Sequence, residues 1–335
     1  MKQRLNIIVL SDISSDPTGQ DFGKELETDE AWKTEHDVLA ALQTLGHTAQ
    51  LICLYKSIQP LLDAIAAQKP DLIFNLVEQF DDNPVFEKNI AALIELLGIP
   101  ITGTGTVGLT LCKHKGVAQS LLAYHRIRVP KFTVFHRGET IRRPAKMEYP
   151  LFVKGLRIEG SVGIAKSSFV ENDAELKERV LFIHDHLNQD ALVEQYIDGR
   201  ECYVSILGNT RLTAFPLREL DFGKIPPDEP RFATYKIKWD EDYRKRWKIR
   251  YRFATDLPAG LERQIHNVCK RAYRILQIRG YGRLDVRVRA DGQIFLLEAN
   301  PNPFLSSVED FAESAEKGGL TFEALIASLL RLALA

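Results

Sequence analysis

The residues with the clearest chemical potential lie between Gly280 and Pro303, in the stretch GYGRLDVRVRADGQIFLLEANPNP. Arg283, Asp285, Glu298 and Asn300 supply a guanidinium, two carboxylates and an amide. Carboxylate and amide oxygens form the donor set that a hard cation such as Mg²⁺ takes when phosphate oxygens fill its other positions, and an adjacent Arg binds phosphate. To act together, the four must converge. The runs Leu284 to Arg289 and Gln293 to Glu298 alternate around Ala290-Asp291-Gly292, and Asp-Gly between alternating runs signals a β-hairpin. Period two puts Leu284, Val286 and Val288 on one face and Arg283, Asp285 and Arg287 on the other, with Glu298 and Asn300 sharing a side near the open end. Carboxylates on a hairpin are more often the solvated end of a half-exposed sheet. Glu298, however, ends the apolar run Ile294-Phe295-Leu296-Leu297, where a carboxylate requires a partner or a metal to offset desolvation.

Composition bounds what such a site can belong to. The chain has 335 residues, 45% apolar and 27% charged, with a net charge of -1, which suits a soluble protein of two or three domains. That balance argues against a surface built wholly for nucleic acid or anionic membrane. Cys53, Cys112, Cys202 and Cys269 are widely spaced without a C-x-x-C, so reduced thiols and a cytoplasmic location are expected. The first apolar run, Ile7 to Leu10, is too short for a signal sequence, and no stretch reaches membrane-span length.

The elements that would position the hairpin read as follows. Residues 5 to 10 form a buried strand, and Ser11 to Asp29 form a long polar loop. A helix from Thr34 to Gly46, a strand from Ala49, a helix over Ser57 to Gln68, a strand over Leu72 to Leu76 and a helix over Phe86 to Leu97 follow. This alternation implies a Rossmann-like parallel sheet, with ligands beyond the strand ends, at the loops beginning at Ser11 and Val77. The second of these loops holds Glu78, Asp81, Asp82 and Glu87. Gly103-Thr104-Gly105 lacks both the dinucleotide and the Walker spacing, and one helix containing Lys113 and Lys115 is expected after it. Tyr149 to Lys154 and Ala165 to Val170 read as strands around a Gly-containing turn whose Gly160, Ser161 and Gly163 amides could cover phosphates or form an ordinary loop. A helix runs from Asp173 to His186, with His184 and His186 read as surface residues. Strands follow over Ala191 to Tyr196, Glu201 to Leu207 and Arg211 to Leu217, and residues 218 to 250 break the pattern. Between Lys236 and Arg252, eight Lys or Arg stand against three acids, interleaved with aromatics. Such a run could stack on single-stranded nucleic acid, close over a polyanionic small molecule, or form an exposed loop. Pro258 opens a helix to Leu276 that packs on the hairpin's sheet, and the apolar Leu320 to Leu334 helix serves core or subunit contact.

In order and distance, Lys115, Lys154 with its Gly loop, Glu194-Gln195-Tyr196-Ile197, Glu201, Lys238, GYGRLDV and LLEANPNP resemble the ATP-grasp enzymes, and more narrowly the D-alanine-D-alanine ligase group. The resemblance runs from about Leu5 to Leu334. It implies an α/β and α+β fold: a Rossmann-like unit at 1–106, a central ATP-grasp unit with a Gly-rich lid at 107–190, and a catalytic unit with the metal site and a mobile basic loop at 191–335. It also implies that Glu194, Gln195, Tyr196 and Ile197 hold adenine, Glu201 holds ribose, and Lys115, Lys154, Gly160 and Ser161 hold the phosphates. Asp285, Glu298 and Asn300 would ligate two Mg²⁺ ions, with Mn²⁺ as a substitute, and Arg283 and Lys238 would stabilise the transferring phosphoryl group. The activity implied is ATP-dependent joining of a small carboxylate to an amine through an acyl phosphate, by a homodimeric enzyme that binds neither membrane nor nucleic acid.

The departures from the group concern the substrates. The group's Ser-x-Glu stretch after the first strand has no clear counterpart in SDISSDPTGQDFGKELETDE, while Glu87 corresponds to a second substrate-site Glu, and Arg283, Pro303 and Glu309 are further substrate-binding candidates. Two adjoining serines of the group appear as Gly160-Ser161, the tyrosine beside the lid lysine as Trp239, and the Asp before the phosphate lysine as His114. The serine that grips the second substrate's carboxylate falls at Glu309, which would repel that carboxylate by roughly 1 to 4 kcal/mol. The expectation is therefore an amide ligase whose acceptor amine is cationic or lacks a free carboxylate. The alternatives are a true D-alanine-D-alanine ligase with a rearranged substrate site and an ATP-responsive nucleic-acid-binding protein without ligase activity.

Overall fold

A computed structural model describes residues 4–14, 30–158, 160–226 and 231–335. The N-terminal unit contains β1 (Asn6–Asp12), α1 (Lys33–Thr44), β2 (Thr48–Leu54), α2 (Gln59–Gln68), β3 (Leu72–Asn75) and α3 (Glu87–Leu96). Its three strands are parallel in the order β2-β1-β3. Because β1 is central, both of its faces are covered: Ile7 and Val9 pack with Val38 and Leu42 of α1, while Ile8 and Leu10 pack with Leu61 of α2 and Ile90 of α3. This explains why its sequence is continuously apolar instead of alternating. Of the long loop expected after β1, residues 15–29 lie outside the described residues.

The next elements are α4 (Thr106–Lys113), α5 (Lys115–Tyr124), β4 (Phe132–Phe135), β5 (Leu151–Gly155), β6 (Phe169–Val170), α6 (Asp173–His186) and β7 (Ala191–Gln195). The one helix expected after Gly105 is two. His114 leaves helical geometry and caps α5, its Nδ1 accepting from Val117 N at 3.2 Å, so Lys115 becomes the first residue of a new helix. The strand expected over Ala165 to Val170 is confined to β6, because Lys166–Ser168 is a 3₁₀ turn and Arg179 of α6 donates to Ser168 Oγ at 2.9 Å. The strands form an antiparallel sheet in the order β4-β7-β5-β6, on which Leu176, Val180 and Ile183 of α6 pack. Strand β7, which lies past the expected boundary at residue 190, belongs to this sheet. His184 is not at the surface: it is 4% exposed, with Nε2 at 3.0 Å from the Phe135 carbonyl. His186 is exposed and stacks on Phe182.

The last unit contains β8 (Arg200–Leu207), β9 (Thr213–Ala214), β10 (Arg218–Asp221), α7 (Tyr235–Trp239), α8 (Glu241–Trp247), β11 (Arg250–Phe253), α9 (Leu261–Ile275), β12 (Tyr281–Val288), β13 (Ile294–Pro301), α10 (Asp310–Lys317) and α11 (Phe322–Ala333). Its antiparallel sheet runs β11-β10-β8-β12-β13, with β9 paired to β8. The strand expected over Arg211 to Leu217 is only the two-residue β9, and the stretch from 218 that was expected to be irregular contains β10 and β11. Helix α9 lays Ile265, Cys269, Ala272 and Tyr273 on Leu284, Val286, Val204 and Ile206. Cys112 of α4 and Ala118 and Leu122 of α5 join the same core, which fixes Lys115 against the hairpin's sheet. The apolar side of α11 is used within the chain: Leu325, Ile326, Leu329 and Leu330 pack against the core of β1 and α1, so this helix gives no support to the expected homodimer. No described helix is long and apolar enough to cross a membrane.

Candidate active site

Strands β12 and β13 form the expected hairpin and the floor of a cleft between the two antiparallel sheets. Leu284, Val286 and Val288 are buried in the core, while Arg283, Asp285 and Arg287 line the cleft. Arg283 lies opposite Asn300 and Asp285 opposite Glu298. A bulge follows: Val286 pairs with Leu296, so Leu297 has no partner and turns into the cleft beside Glu298. The alternation in the sequence does not reveal this extra residue, which shifts the face of everything beyond it.

The four candidates converge. Arg283 donates to Asp285 from Nε at 2.8 Å and from Nη2 at 3.0 Å, and Asn300 Nδ2 donates to the same carboxylate at 3.0 Å. The Arg283 guanidinium also lies over the Tyr203 ring, 5.1 Å from its centroid, with Nη1 3.7 Å from Asp310. Burial pushes the Asp285 carboxyl up while Arg283 pulls it back. Glu298 stands 3.0 Å from Lys115 Nζ. Burial opposes its charge, but Lys115 and Lys154 outweigh burial and hold its pKa at about 2.

The central sheet supplies the opposite wall. Lys154, at the end of β5, pairs with Glu194 of β7 at 2.9 Å, and Gln119 of α5 donates to the other Glu194 oxygen. Buried Lys115 also donates to the Ile158 carbonyl at 2.6 Å. Gln195, Tyr196 and Ile197 line the cleft where β7 leads into β8. Glu201 is buried, with Arg287 Nη2 at 2.5 Å and the Tyr203 hydroxyl at 2.9 Å.

Two covers meet over this cleft. Gly160, Ser161 and Gly163 all have positive φ, at 66°, 60° and 74°, a region that the two glycines, unlike Ser161, adopt without strain. The Trp239 indole donates to the Gly160 carbonyl at 3.0 Å, and Tyr235 N donates to the Ile164 carbonyl at 3.0 Å. Thus α7 docks on the Gly loop and Lys238 lines the cleft. Burial, followed by Arg283, lowers the Lys238 pKa below the ordinary lysine value. Part of the basic stretch around it is engaged in ion pairs and hydrogen bonds: Arg252 pairs with Glu219 at 2.5 Å, Arg250 with Asp221 at 3.2 Å, and Arg244 donates to the Lys238 carbonyl at 2.7 Å. These contacts tie the stretch to β10 and to α7.

The substrate candidates are more scattered. Glu87 starts α3, is 3% exposed and pairs with Lys113 at 2.6 Å, lining neither this cleft nor the pocket beside β1. Pro303 does line that second pocket, with Asp12, Glu35, Glu78 and Tyr281, at the carboxyl ends of β1 and β3. There Ser11 Oγ donates to Glu35 at 2.6 Å, and Asp12 accepts from Glu78 N at 2.7 Å. Burial raises the pKa of both Asp12 and Glu35. Glu309 immediately precedes α10 without a side-chain capping hydrogen bond; burial, then Asp310, raises its pKa against the pull of Lys238 and Arg283.

The sequence reading missed Gln119, Tyr203, Asp310 and the carboxylates at 12 and 35. Gln119 was the most accessible of these, one helical turn after Lys115 and so on the same face. Asp12 and Glu35 meet only through the parallel sheet and α1.

Among the described residues no group of three or more His, Cys, Asp or Glu is placed to hold a metal. Asp285, Glu298 and Asn300 are instead two facing carboxylates and an amide on one hairpin end, with cations already against them. Such a set fits a Mg²⁺ ion that takes its other ligands from phosphates and water.

The family model described as D-ala D-ala ligase C-terminus matches residues 121–331. A D-alanine-D-alanine ligase of Nitratidesulfovibrio vulgaris is 30% identical over 315 residues, covering 90% of this chain and 95% of its own. An uncharacterised protein, y4sG, of Sinorhizobium fredii is 29% identical over 301 residues, covering 88% of this chain and 86% of its own. The crystal structure of D-alanine-D-alanine ligase from Bacillus anthracis complexed with ATP superposes with a TM-score of 0.75 at 19% identity, covering 98% of this chain and 97% of that one. The expected fold is therefore the observed one, and the chain belongs to the D-alanine-D-alanine ligase family of ATP-grasp enzymes, which are ATP-dependent carbon-nitrogen ligases.

Proposed function

We propose that this enzyme phosphorylates a small carboxylate with ATP and joins the resulting acyl phosphate to an amine, releasing ADP and phosphate. The observation that carries the proposal is the set of four cation-carboxylate pairs in one cleft: Lys154 with Glu194, Lys115 with Glu298, Arg283 with Asp285 and Arg287 with Glu201. In this reading adenine lies along Gln195, Tyr196 and Ile197 with Glu194 and Gln119 behind it, Glu201 takes the ribose hydroxyls, and Lys115 and Lys154 take phosphate oxygens. Asp285, Glu298 and Asn300 would hold Mg²⁺, which when bound neutralises charge on the triphosphate; two ions, with Mn²⁺ as a substitute, suit this donor set. A carboxylate oxygen attacks the γ-phosphorus as ADP departs, and the amine then attacks the acyl carbon as phosphate departs. Arg283 and Lys238 stabilise the charge on the transferred group and on the tetrahedral oxyanion, so positioning and electrostatics supply most of the acceleration. The Gly loop and α7 keep water from the acyl phosphate.

The three-part division, with the central unit extended to Gln195, and a cytoplasmic location belong to the same proposal. The pocket of Asp12, Glu35 and Glu78 suits the ammonium group of an amino-acid substrate. Ligation of D-alanine to itself is the second reading, supported by the name of the Nitratidesulfovibrio relative. Against it, Glu309 stands just before α10, where it would repel an acceptor's carboxylate, whereas Asp310 and Glu313 are paired with Arg218. Phosphate release with pooled D- and L-amino acids and small amines, with Asp285→Ala as control and mass spectrometry of the products, tests both. Release that needs the pool and Asp285, with a product one water lighter than its parents, establishes ligation. D-alanine as the best acceptor by a wide margin would establish the second reading, and turnover independent of the pool would overturn both.

A further inference from the structure

Arg287 is counted among the four pairs above but given no role of its own, yet it is 2% exposed and its guanidinium reaches three walls of the nucleotide cleft. On the sheet, it lies directly opposite Glu201 in the β12-β8 register, and Nη2 donates to Glu201 Oε2 at 2.5 Å. At the turn between β7 and β8, Nη1 donates to the Ile197 carbonyl at 3.1 Å, and the group stands over the Tyr196 ring, 5.5 Å from its centroid. On the cover side, Nη2 donates to the carbonyl of Arg231, whose neighbours Phe232 and Ala233 line the cleft on the way to α7. A buried guanidinium with this many acceptors has a single orientation. It leaves Glu201 one oxygen, Oε1, which the Tyr203 hydroxyl occupies at 2.9 Å and a ligand hydroxyl can take over.

We infer that Arg287 is a positioning residue for the sugar end of the nucleotide, aiming Glu201 at the ribose hydroxyls so that selection of ribose over deoxyribose depends on it. The inference rests on the reading of Glu201 as the ribose ligand. A merely structural ion pair would affect all nucleotides alike, whereas an aimed carboxylate affects those carrying the 2′-hydroxyl.

Equilibrium binding of ATP and 2′-deoxy-ATP, by calorimetry, with thermal melts of each protein, decides the matter for wild type, Arg287→Met, Arg287→Lys and Glu201→Gln. Expected are a wild-type preference for ATP of about tenfold, its loss in Arg287→Met mainly through weaker ATP binding, and partial recovery in Arg287→Lys. If Arg287→Met does not fold, Arg287→Lys carries the test, because a lysine cannot bond the same acceptors at once and should still reduce the preference. An unchanged preference in either folded Arg287 variant, or an equal loss for both nucleotides, overturns the inference. An unchanged preference in Glu201→Gln instead overturns the ribose reading beneath it.

Discussion

Replacing Glu298 with Gln should destabilise the ligand-free protein by about 3 kcal/mol at neutral pH, a deficit that should shrink in acid. Glu298 lies 3.0 Å from Lys115, and both Lys115 and Lys154 act on its charge. Burial works against ionisation, but the two lysines prevail and bring the pKa from the ordinary 4.5 to about 2. At ~1.4 kcal/mol per unit, that displacement amounts to about 3 kcal/mol of folding free energy. The sign follows from the depressed value. The stabilisation is complete above the unfolded carboxyl's pKa of 4.5 and disappears as pH falls toward 2. At pH ~3.5 about 2 kcal/mol should remain. Gln keeps the shape but leaves Lys115 without its carboxylate. Urea titrations of both proteins between pH 7.5 and 3.5, followed by tryptophan fluorescence, measure the difference. A gap that stays constant across this range, or a variant as stable as wild type at pH 7.5, would refute the electrostatic reasoning.

Other outcomes follow from the same geometry. Because burial and Arg283 lower the Lys238 pKa, turnover should decline on the alkaline side earlier than an ordinary lysine would dictate, and Lys238→Arg should move that limb upward in a pH-rate profile. Trp239→Phe removes the hydrogen bond to the Gly160 carbonyl, so the ratio of ADP to amide product should rise above one as water reaches the acyl phosphate; an unchanged ratio counts against the latch. Leu284→Ala, at a fully buried position under α9, should cost about 2 to 5 kcal/mol in denaturant titrations. Glu309→Ser should improve acceptors bearing a free carboxylate, relative to plain amines, by roughly 1 to 4 kcal/mol in competition assays.

Where a pattern is local, the sequence carried it. The hairpin of β12 and β13 was legible because alternation and the Asp-Gly turn are both local signals, and β1 to β3 because strand-helix alternation leaves few topologies. The break at His114 was hidden because no Gly or Pro marks it; the imidazole replaces the helical hydrogen bond by capping α5. Strand β10 was hidden because Arg218 and Glu219 read as surface residues, yet both are buried and held by ion pairs to Asp310 and to Arg200 and Arg252. His184 was misplaced for a similar reason: its burial depends on a carbonyl 49 residues away. The positions of Lys115, Lys154 and Glu201 came from family likeness, since nothing local distinguishes them from other charged residues.

The pairing also explains how so many charges can be gathered in one cleft. An isolated buried charge costs several kcal/mol, and the cleft gathers eight of them into four pairs. In the proposed scheme these pairs serve differently. Lys115, Lys154 and Arg283 would exchange carboxylates for phosphate oxygens, while Glu298 and Asp285 would exchange ammonium and guanidinium for a divalent cation. Of the three carboxylates so released, Glu298 and Asp285 would gain the divalent cation, while Glu194 keeps the Gln119 amide that donates to it. Arg287 differs because its acceptors include backbone carbonyls at Ile197 and Arg231, which no nucleotide displaces. It is thus suited to remain in place while the other three cations change partners, and a fixed group is what a selective contact to a sugar hydroxyl requires.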